Sequence, residues 1–130
     1  MVRAVLRLAR RLRQSAPARE LTGGGLSLLA ALHRGGPSSA AALARSEGLQ
    51  PQSLTRLLTR MVADGLIERP VDAADRRRHK IQLTARGRSA LDWAMNTRRK
   101  RLAELMDERL TAAERNILLR AAELMLKLAA

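Results

Sequence analysis

The chain has 130 residues, a length that fits one domain with a modest hydrophobic core. Its 25 Lys and Arg against 12 Asp and Glu give a formal net charge of +13, which favours an anionic partner, either nucleic acid or an anionic membrane. The absence of cysteine excludes disulfides and thiolate metal sites, and the absence of Tyr and Phe argues against base stacking on aromatic side chains. No stretch approaches the roughly 18 apolar residues of a membrane span, so we expect none.

The first predicted element is an amphipathic helix within residues 1–20. The segment "MVRAVLRLARRLRQ" is rich in arginine, and its apolar residues recur at helical spacing. We interpret it as a helix that packs against a partner. An organelle transit peptide has a similar composition, but no Ser-rich, cleavable spacer follows. A helix lying on a membrane surface is a third interpretation, which the lack of aromatic anchors disfavours.

Two short helices are predicted next. The segment "SAPARELTGGGL" contains Pro17 and Gly23–Gly25, which predict a loop or a poorly started helix. The apolar segment "LSLLAALHR" then predicts a short helix, and "GGPSS" ends it. In the following helix, "AAALARS", we expect Ser38 or Ser39 to be the N-cap and Gly48 to end the helix.

The segment "LQPQSLTRLLTRMVADG" predicts a more regular helix, with Pro51 in its first turn and Gly65 at its end. Four apolar residues at positions i, i+3, i+4 and i+7 predict one buried stripe: Leu54, Leu57, Leu58 and Met61. The opposite face carries polar side chains of several lengths rather than a uniform coat of charge: Gln52, Ser53, Thr55, Arg56, Thr59 and Arg60.

The second half of the chain predicts a hairpin and two further helices. The segments "LIERPV" and "KIQLT" alternate apolar and polar residues, so they predict two strands with an arginine-rich tip between them. From Thr84 the helical period returns and predicts a long helix that ends near Leu110. A capping box at Thr111–Glu114 starts the last helix, which is apolar over most of its circumference. We expect a second copy of the chain to cover the terminal helices.

Helix, turn at Gly48, helix and hairpin together describe a helix-turn-helix with a wing. An α-helix fits the major groove of B-DNA, where Arg56 suits guanine and Gln52 suits adenine. We expect seven residues to contact that groove: Gln50, Gln52, Ser53, Thr55, Arg56, Thr59 and Arg60. The basic tip suits the narrow minor groove, where the negative potential is enhanced. Its basic candidates are Arg76, Arg77, Arg78 and Lys80.

The hairpin also carries a specific motif. The pattern Asp-x-Arg, five residues, then Leu-Thr appears at Asp75, Arg77, Leu83 and Thr84. With "LTRLLTRMVADGLIER" before this motif and "LTAAER" after it, the chain resembles the MarR family of bacterial winged-helix transcription regulators. The resemblance spans about Leu21 to the end of the chain, and the first helix fits by position.

The resemblance implies a mainly α-helical fold with a small β wing, in one MarR-like domain. Residues 21–86 would form the DNA-binding lobe, while residues 1–20 and 87–130 would interleave with a second copy in an obligate homodimer. The two recognition helices would enter successive major grooves of double-stranded DNA at a pseudo-palindromic operator. Arg77 would enter the minor groove, and Asp75 would orient it through a charge-assisted pair.

The resemblance also implies a regulatory role. The family commonly represses transcription and often releases DNA when a small aromatic acid, frequently a phenol, binds near the dimer helices. Such a protein is bacterial, cytoplasmic and associated with the nucleoid. The sequence departs from the family at Ala73, where proline is usual, and at Gly23–Gly25, where a polar capped turn is usual. Without cysteine or tyrosine, a thiol-oxidation switch is excluded and a phenol lacks a tyrosine partner.

Other functions have less support. The sequence has no nucleophile–base pair, no paired catalytic carboxylates and no Gly-rich phosphate loop, and His33 and His79 lack acidic neighbours at ligand spacing. We therefore expect no enzyme activity, no metal and no cofactor. Two alternatives remain: a nonspecific or architectural nucleic-acid-binding protein, supported by charge alone, and a ligand-sensing or partner-binding protein whose DNA contact is secondary.

Overall fold

The computed structural model describes residues 1–14, 23–70 and 80–130. Its elements in chain order are α1 (Val2–Gln14), α2 (Gly23–Gly35), α3 (Ala40–Glu47), α4 (Pro51–Ala63), β1 (Ile67–Glu68), β2 (Gln82–Leu83), α5 (Ala85–Arg109) and α6 (Ala112–Ala129). The fold is mainly α-helical with one small antiparallel sheet, as the sequence predicted. No helix among the described residues is long and apolar enough to cross a membrane.

The chain divides into two compact units. The first, residues 16–96, contains α2, α3, α4, the sheet and the start of α5; the second combines residues 1–15 with 97–130. The first unit is built around a core of buried aliphatic side chains, and Leu28, Leu29 and Leu58 have almost no solvent exposure. This core holds the helices and strands in one arrangement, because α2, α3, α4, α5 and β1 each contribute at least one buried side chain to it and half-buried Leu83 of β2 packs against it.

Helix α2 begins at Gly23, within the segment that the sequence predicted to be a loop or a poorly started helix. It includes all of Gly23–Gly25, although each glycine inside a helix costs roughly 1 kcal/mol relative to alanine. The first turn of α2 approaches α4, where a Cβ on Gly24 would lie 3.8 Å from Leu57 Cδ2, and Leu26 is buried. Packing against α4 therefore stabilises a start that local propensity disfavours. Pro17 and the rest of the predicted loop lie outside the described residues.

The turn between α3 and α4 follows the predicted caps. Ser39 is the N-cap of α3, and its hydroxyl accepts a hydrogen bond from the Ala42 amide at 3.2 Å. Gly48 ends the helix with φ of 61°, a left-handed conformation that glycine adopts without strain. The Leu49 amide then donates to the Ala44 carbonyl at 3.0 Å, which closes the turn before Pro51 starts α4.

The two strands form the stem of the predicted hairpin. Ile67 pairs with Leu83 and Glu68 with Gln82, and the side chains of Ile67 and Ile81 are both buried. A further bridge joins Ser38 to Ile81, with amide-to-carbonyl distances of 3.0 and 2.8 Å. Ser38 is thus a partner of the hairpin rather than a cap, and it ties the start of α3 to the wing stem.

The second unit has little interior of its own. No residue of α1 or α6 is buried, while Leu105 on α5 is. The predicted capping box is confirmed: the Thr111 hydroxyl accepts from the Glu114 amide, and the Glu114 carboxylate accepts from the Thr111 amide at 2.8 Å. An ion pair between Arg115 and Asp107 joins the start of α6 to the end of α5.

Candidate nucleic-acid interface

Helix α4 has one buried face and one exposed polar face. Leu54, Leu58 and Met61 are between 1 and 2% exposed and lie in the core, while Leu57 is half-buried against it. These contacts fix the rotation of the helix about its own axis. All seven predicted major-groove residues are exposed as a result: Gln50, Gln52, Ser53, Thr55, Arg56, Thr59 and Arg60.

The polar side chains on this face differ in how their hydrogen bonds are used. Within the described residues, Gln52, Arg56 and Arg60 make no side-chain hydrogen bond or ion pair, so their donors can be offered to a ligand. The Thr55 hydroxyl instead donates to the Pro51 carbonyl, and the Thr59 hydroxyl donates to the Thr55 carbonyl, both at 2.9 Å. Each threonine therefore keeps its acceptor lone pairs and its methyl group for an outside contact.

The charge of this face is uniformly positive. The sequence has no acidic residue between Glu47 and Asp64, so nothing on α4 neutralises Arg56 and Arg60. Gln50 precedes the helix as its N-cap without a capping hydrogen bond from its side chain. The face therefore offers guanidinium and amide donors toward an anionic, acceptor-rich ligand such as the major groove of DNA.

The wing stem lies directly after α4, while its tip is outside the described residues. Of the predicted wing residues, only Lys80 is described, and its side chain is exposed. Asp75 and Arg76–Arg78 fall within 71–79, so their contacts stay predictions. A hydrogen bond of 2.6 Å from Gln82 to Glu68 links the two strands of the stem across the sheet.

Thr84 has a structural role that sequence reasoning did not assign. Its hydroxyl donates to the Gly65 carbonyl at 2.6 Å and accepts from the Gly87 amide at 3.0 Å, while its own amide donates to the Leu66 carbonyl at 3.2 Å. The threonine thus caps α5 and ties it to the end of α4. This explains why the wing motif ends in threonine: the hydroxyl fixes where the hairpin returns.

Gly87 allows the close approach that this cap requires. A Cβ at this position would lie 1.9 Å from the Leu66 carbonyl oxygen, far inside van der Waals contact. The signal in the sequence was a glycine in the first turn of a helix, where only a packing constraint compensates its low propensity. Among the described residues, no group of three His, Asp or Glu side chains is placed to hold a metal ion.

Comparison with known proteins identifies this arrangement. The sequence model of the MarR family matches residues 21–78, which include α2, α3, α4 and β1 and end before β2. Over 125 residues the chain is 34% identical to an HTH-type transcriptional regulator of Mycobacterium bovis, covering 96% of this chain and 87% of that protein. The chain belongs to the MarR family. It is a DNA-binding transcriptional regulator of the winged helix-turn-helix class.

Solved structures of other proteins have the same fold as this MarR-family regulator. A transcriptional regulator from Pseudomonas aeruginosa matches with a TM-score of 0.84 and 32% identity, covering 97% of this chain and 88% of that one. BpsR of Bordetella bronchiseptica, whose DNA binding is regulated by 6-hydroxynicotinic acid, matches with a TM-score of 0.67 and 24% identity over 95% and 87% of the two chains. At that identity the BpsR likeness shows the fold alone.

Proposed function

We propose that α4 is the recognition helix of this regulator and reads a pseudo-palindromic operator through its exposed polar face. The observation that carries the proposal is the division of α4 into two faces. Leu54, Leu58 and Met61 anchor one face in the core, while the other presents two arginines and a glutamine whose donors have no partner within residues 1–14, 23–70 and 80–130. A rigid helix with unused donors is the arrangement that direct reading of bases in the major groove requires.

The chemistry of the face implies a base composition for the operator. Arg56 and Arg60 can each bind the O6 and N7 acceptors of guanine, and Gln52 can bind adenine. Thr55 and Thr59 suit thymine, whose methyl group meets theirs, and Ser53 suits a base or a phosphate. The segment between Glu47 and Asp64 contains no carboxylate to accept from cytosine N4, so we expect the strand that α4 contacts to be rich in guanine, adenine and thymine.

The wing completes the proposed site. Arg77 would enter the minor groove with Asp75 orienting it, and Arg76, Arg78 and Lys80 would bind flanking phosphates. The described stem supports this assignment, because the Ser38–Ile81 bridge and the Thr84 hydrogen bonds fix its base beside α4. The hairpin therefore starts and returns at a fixed place in the same unit as the recognition helix.

We infer a homodimer from the second unit. Large apolar side chains of α1 and α6 are exposed, among them Leu6 at 62%, Ile117 at 68% and Leu126 at 72%. Apolar surface of this extent is covered in a stable protein, and a second copy supplies a matching apolar surface. The dimer would hold two recognition helices about 34 Å apart, one turn of B-DNA. Repression, and release of DNA by a small aromatic acid, are further proposals; 6-hydroxynicotinic acid, which regulates DNA binding by BpsR, is an acid of that kind.

The test of the proposed function is selection of bound duplexes from a random pool, followed by affinity measurements on the selected operator and on random DNA. We expect a specificity ratio of at least about a thousand. Arg56→Gln should weaken operator binding by about 1–3 kcal/mol and random DNA binding much less, because a bidentate guanine contact is lost.

Arg34→Gln removes the same charge from the end of α2 and serves as the control. It should affect both DNAs equally, since Arg34 is not on α4. A specificity ratio near one for the parent protein would contradict the proposal and favour the nonspecific, architectural alternative.

A further inference from the structure

Helix α5 has a positive charge in its first turn. Arg86 is the second residue of the helix, and the first turn contains no acidic residue. The free amide groups at the start of a helix carry a partial positive charge, so a cation beside them is unfavourable for the stability of the helix. A carboxylate would stabilise the helix at this position, so the charge of Arg86 needs a reason other than helix stability.

The backbone of Arg86 is fixed against the end of α4. On one side of it, the Thr84 hydroxyl donates to the Gly65 carbonyl at 2.6 Å, and the Thr84 amide donates to the Leu66 carbonyl at 3.2 Å. On the other side, Gly87 is buried, and a Cβ there would lie 1.9 Å from the Leu66 carbonyl oxygen. Arg86 and α4 belong to the same compact unit, and these contacts set the distance between them.

The side chain of Arg86 extends across the turn that follows α4. Its Cδ lies 3.7 Å from the position that a Cβ on Gly65 would take, and Gly65 comes directly after Asp64, the C-cap of α4. Arg86 is exposed, and within residues 1–14, 23–70 and 80–130 it makes no hydrogen bond or ion pair, either with Asp64 or with another carboxylate. Its guanidinium group is therefore available to an anion outside the chain.

Two other charged groups of this region have partners inside the unit. Arg88, two residues further along α5, has its Nε 3.9 Å from the Asp92 carboxylate, which balances part of its charge. Glu68 of the wing stem accepts a hydrogen bond from Gln82. Arg86 differs from Arg88 because no described carboxylate balances its charge, and this difference makes the two arginines a matched pair for comparison.

A backbone phosphate of DNA fits the position of Arg86. The proposed base contacts of α4 end at Arg60, and Asp64 lies four residues later, about 6 Å further along the helix axis. In helix-turn-helix proteins the N-terminal part of the recognition helix contacts the bases. The C-terminal end of α4 would then lie toward the edge of the major groove, where the phosphates of one strand run. A guanidinium group at this end can bind two phosphate oxygens in a fork.

We propose that Arg86 is a further DNA contact of this regulator and binds a backbone phosphate at the edge of the major groove that α4 enters. The proposal rests on the proposed placement of α4 in that groove. The contact carries no sequence information, because the phosphates are the same at every base pair. Its effect is to raise the affinity for every duplex and to hold the C-terminal end of α4 against the backbone.

The test measures affinity for the selected operator and for random duplex DNA from about 50 to about 200 mM salt. Arg86→Gln removes the charge, and Arg86→Lys keeps it. Arg88→Gln is the matched control, since it removes the same charge from the same helix two residues later. Arg86→Gln is also measured in a protein that carries Asp64→Asn, and the melting temperature of every variant is recorded.

We expect Arg86→Gln to weaken binding to both DNAs by the same factor. The slope of log affinity against log salt should fall by about 0.9 for each bound protomer, so by about 1.8 for a dimer. The loss of affinity should therefore be roughly tenfold larger at the lowest salt concentration than at the highest. Arg86→Lys should keep most of the slope, because lysine also binds phosphate, and Arg88→Gln should keep the slope of the parent.

Stability separates this role from a structural one. Arg86→Gln should melt at or above the temperature of the parent, because it removes a cation from the start of a helix. A lower melting temperature, together with a loss of affinity that Arg86→Lys does not restore, would assign Arg86 to the fold instead. In the protein with Asp64→Asn, Arg86→Gln should change the salt slope as it does in the parent. No change in that background would show that Arg86 only balances Asp64.

Three outcomes of the DNA measurements contradict the phosphate contact. These are an unchanged salt slope in Arg86→Gln, an equal change in Arg88→Gln, which would make net charge the cause, and a loss confined to the operator, which would assign Arg86 to base reading. Failure of operator reading has a different result: the parent protein would show a specificity ratio near one. A slope that still depends on Arg86 with random DNA would support the phosphate contact even then.

Discussion

Thr55 and Thr59 show how a side-chain hydrogen bond limits which groups the proposed recognition helix can offer to DNA. Both hydroxyl groups donate to a carbonyl one turn earlier in α4, so neither donor is presented to a ligand. What remains on the outer surface is a methyl group and an oxygen that accepts hydrogen bonds. In the major groove the methyl group matches thymine, the base that carries a methyl at C5.

Thr55→Ser should weaken binding to an operator whose contacted position is thymine, by about 1 kcal/mol for one buried methyl group. The measurement is a double-mutant cycle with operators in which that thymine is replaced by uracil, which lacks only the methyl. We expect the uracil operator to bind parent and variant equally, because the methyl contact is already absent. Equal penalties on both operators would show that Thr55 does not contact the thymine methyl.

Gly87 is a second residue whose neighbours decide its identity. Alanine has the better helix propensity, by about 1 kcal/mol, so propensity alone would favour alanine at this position. In the fold its Cβ would collide with the Leu66 carbonyl oxygen, a backbone atom that cannot rotate away.

We expect Gly87→Ala to lower the free energy of unfolding by about 1–3 kcal/mol, as overpacking typically does. Urea denaturation measures this directly. Gly35→Ala is the matched control, since a Cβ at the end of α2 meets nothing within 4 Å. A Gly87→Ala protein as stable as the control would contradict the close approach between α5 and the wing stem.

At the scale of elements, α6 depends on its capping box. The Glu114 carboxylate accepts hydrogen bonds from the Thr111 amide and hydroxyl, and these bonds hold the pKa of Glu114 below its ordinary value of 4.5. A carboxyl group whose pKa is lower in the folded state stabilises the fold above its unfolded pKa. That stabilisation is lost as the pH falls through the lower, folded value.

The melting temperatures of the parent and Glu114→Gln should therefore differ at neutral pH, begin to converge below about pH 4.5, and meet once the pH is below the lowered pKa of Glu114. Glu123→Gln, a change of the same charge later in α6, is the control, because Glu123 has no capping contact in the described residues. A Glu114→Gln protein whose melting temperature follows that of the parent at every pH would show that the charge of Glu114 does not stabilise the helix.

The helices differed in how well the local sequence pattern predicted their bounds. Helix α4 was predicted closely, because Pro51, the buried stripe and Gly65 all act within the helix or its ends. Helix α2 was not, because its start at Gly23 depends on contact with Leu57, more than thirty residues away. A local sequence pattern indicates the helix propensity of a segment. Packing against residues that are distant in sequence can outweigh a low propensity.

At the scale of the whole molecule, α6 leaves Ile117 and Leu124 exposed on one line along the helix, seven residues apart. Replacing both with glutamate should convert the proposed dimer to a monomer, since two carboxylates would be buried in an apolar interface. Light scattering measures the mass. We expect operator affinity to fall when the dimer is lost, because a monomer contacts only one half-site of the operator.

Asn116→Glu with Arg120→Gln lowers the charge of the polar side of α6 by the same amount and should leave the dimer intact. Circular dichroism checks that both double variants keep their helices. A parent protein that is already monomeric at micromolar concentration would contradict the dimer and the operator geometry built on it.

The sequence by itself determined the order of helices and strands, the cap at Thr111, the exposed face of α4 and the family. Each of these depends on residues within a turn or two of one another, or on a motif of fixed spacing. Only the tertiary structure decided that Ser38 pairs with Ile81 and that Thr84 binds Gly65. These contacts join segments 19 to 43 residues apart, and such pairings follow from how the core packs rather than from local pattern.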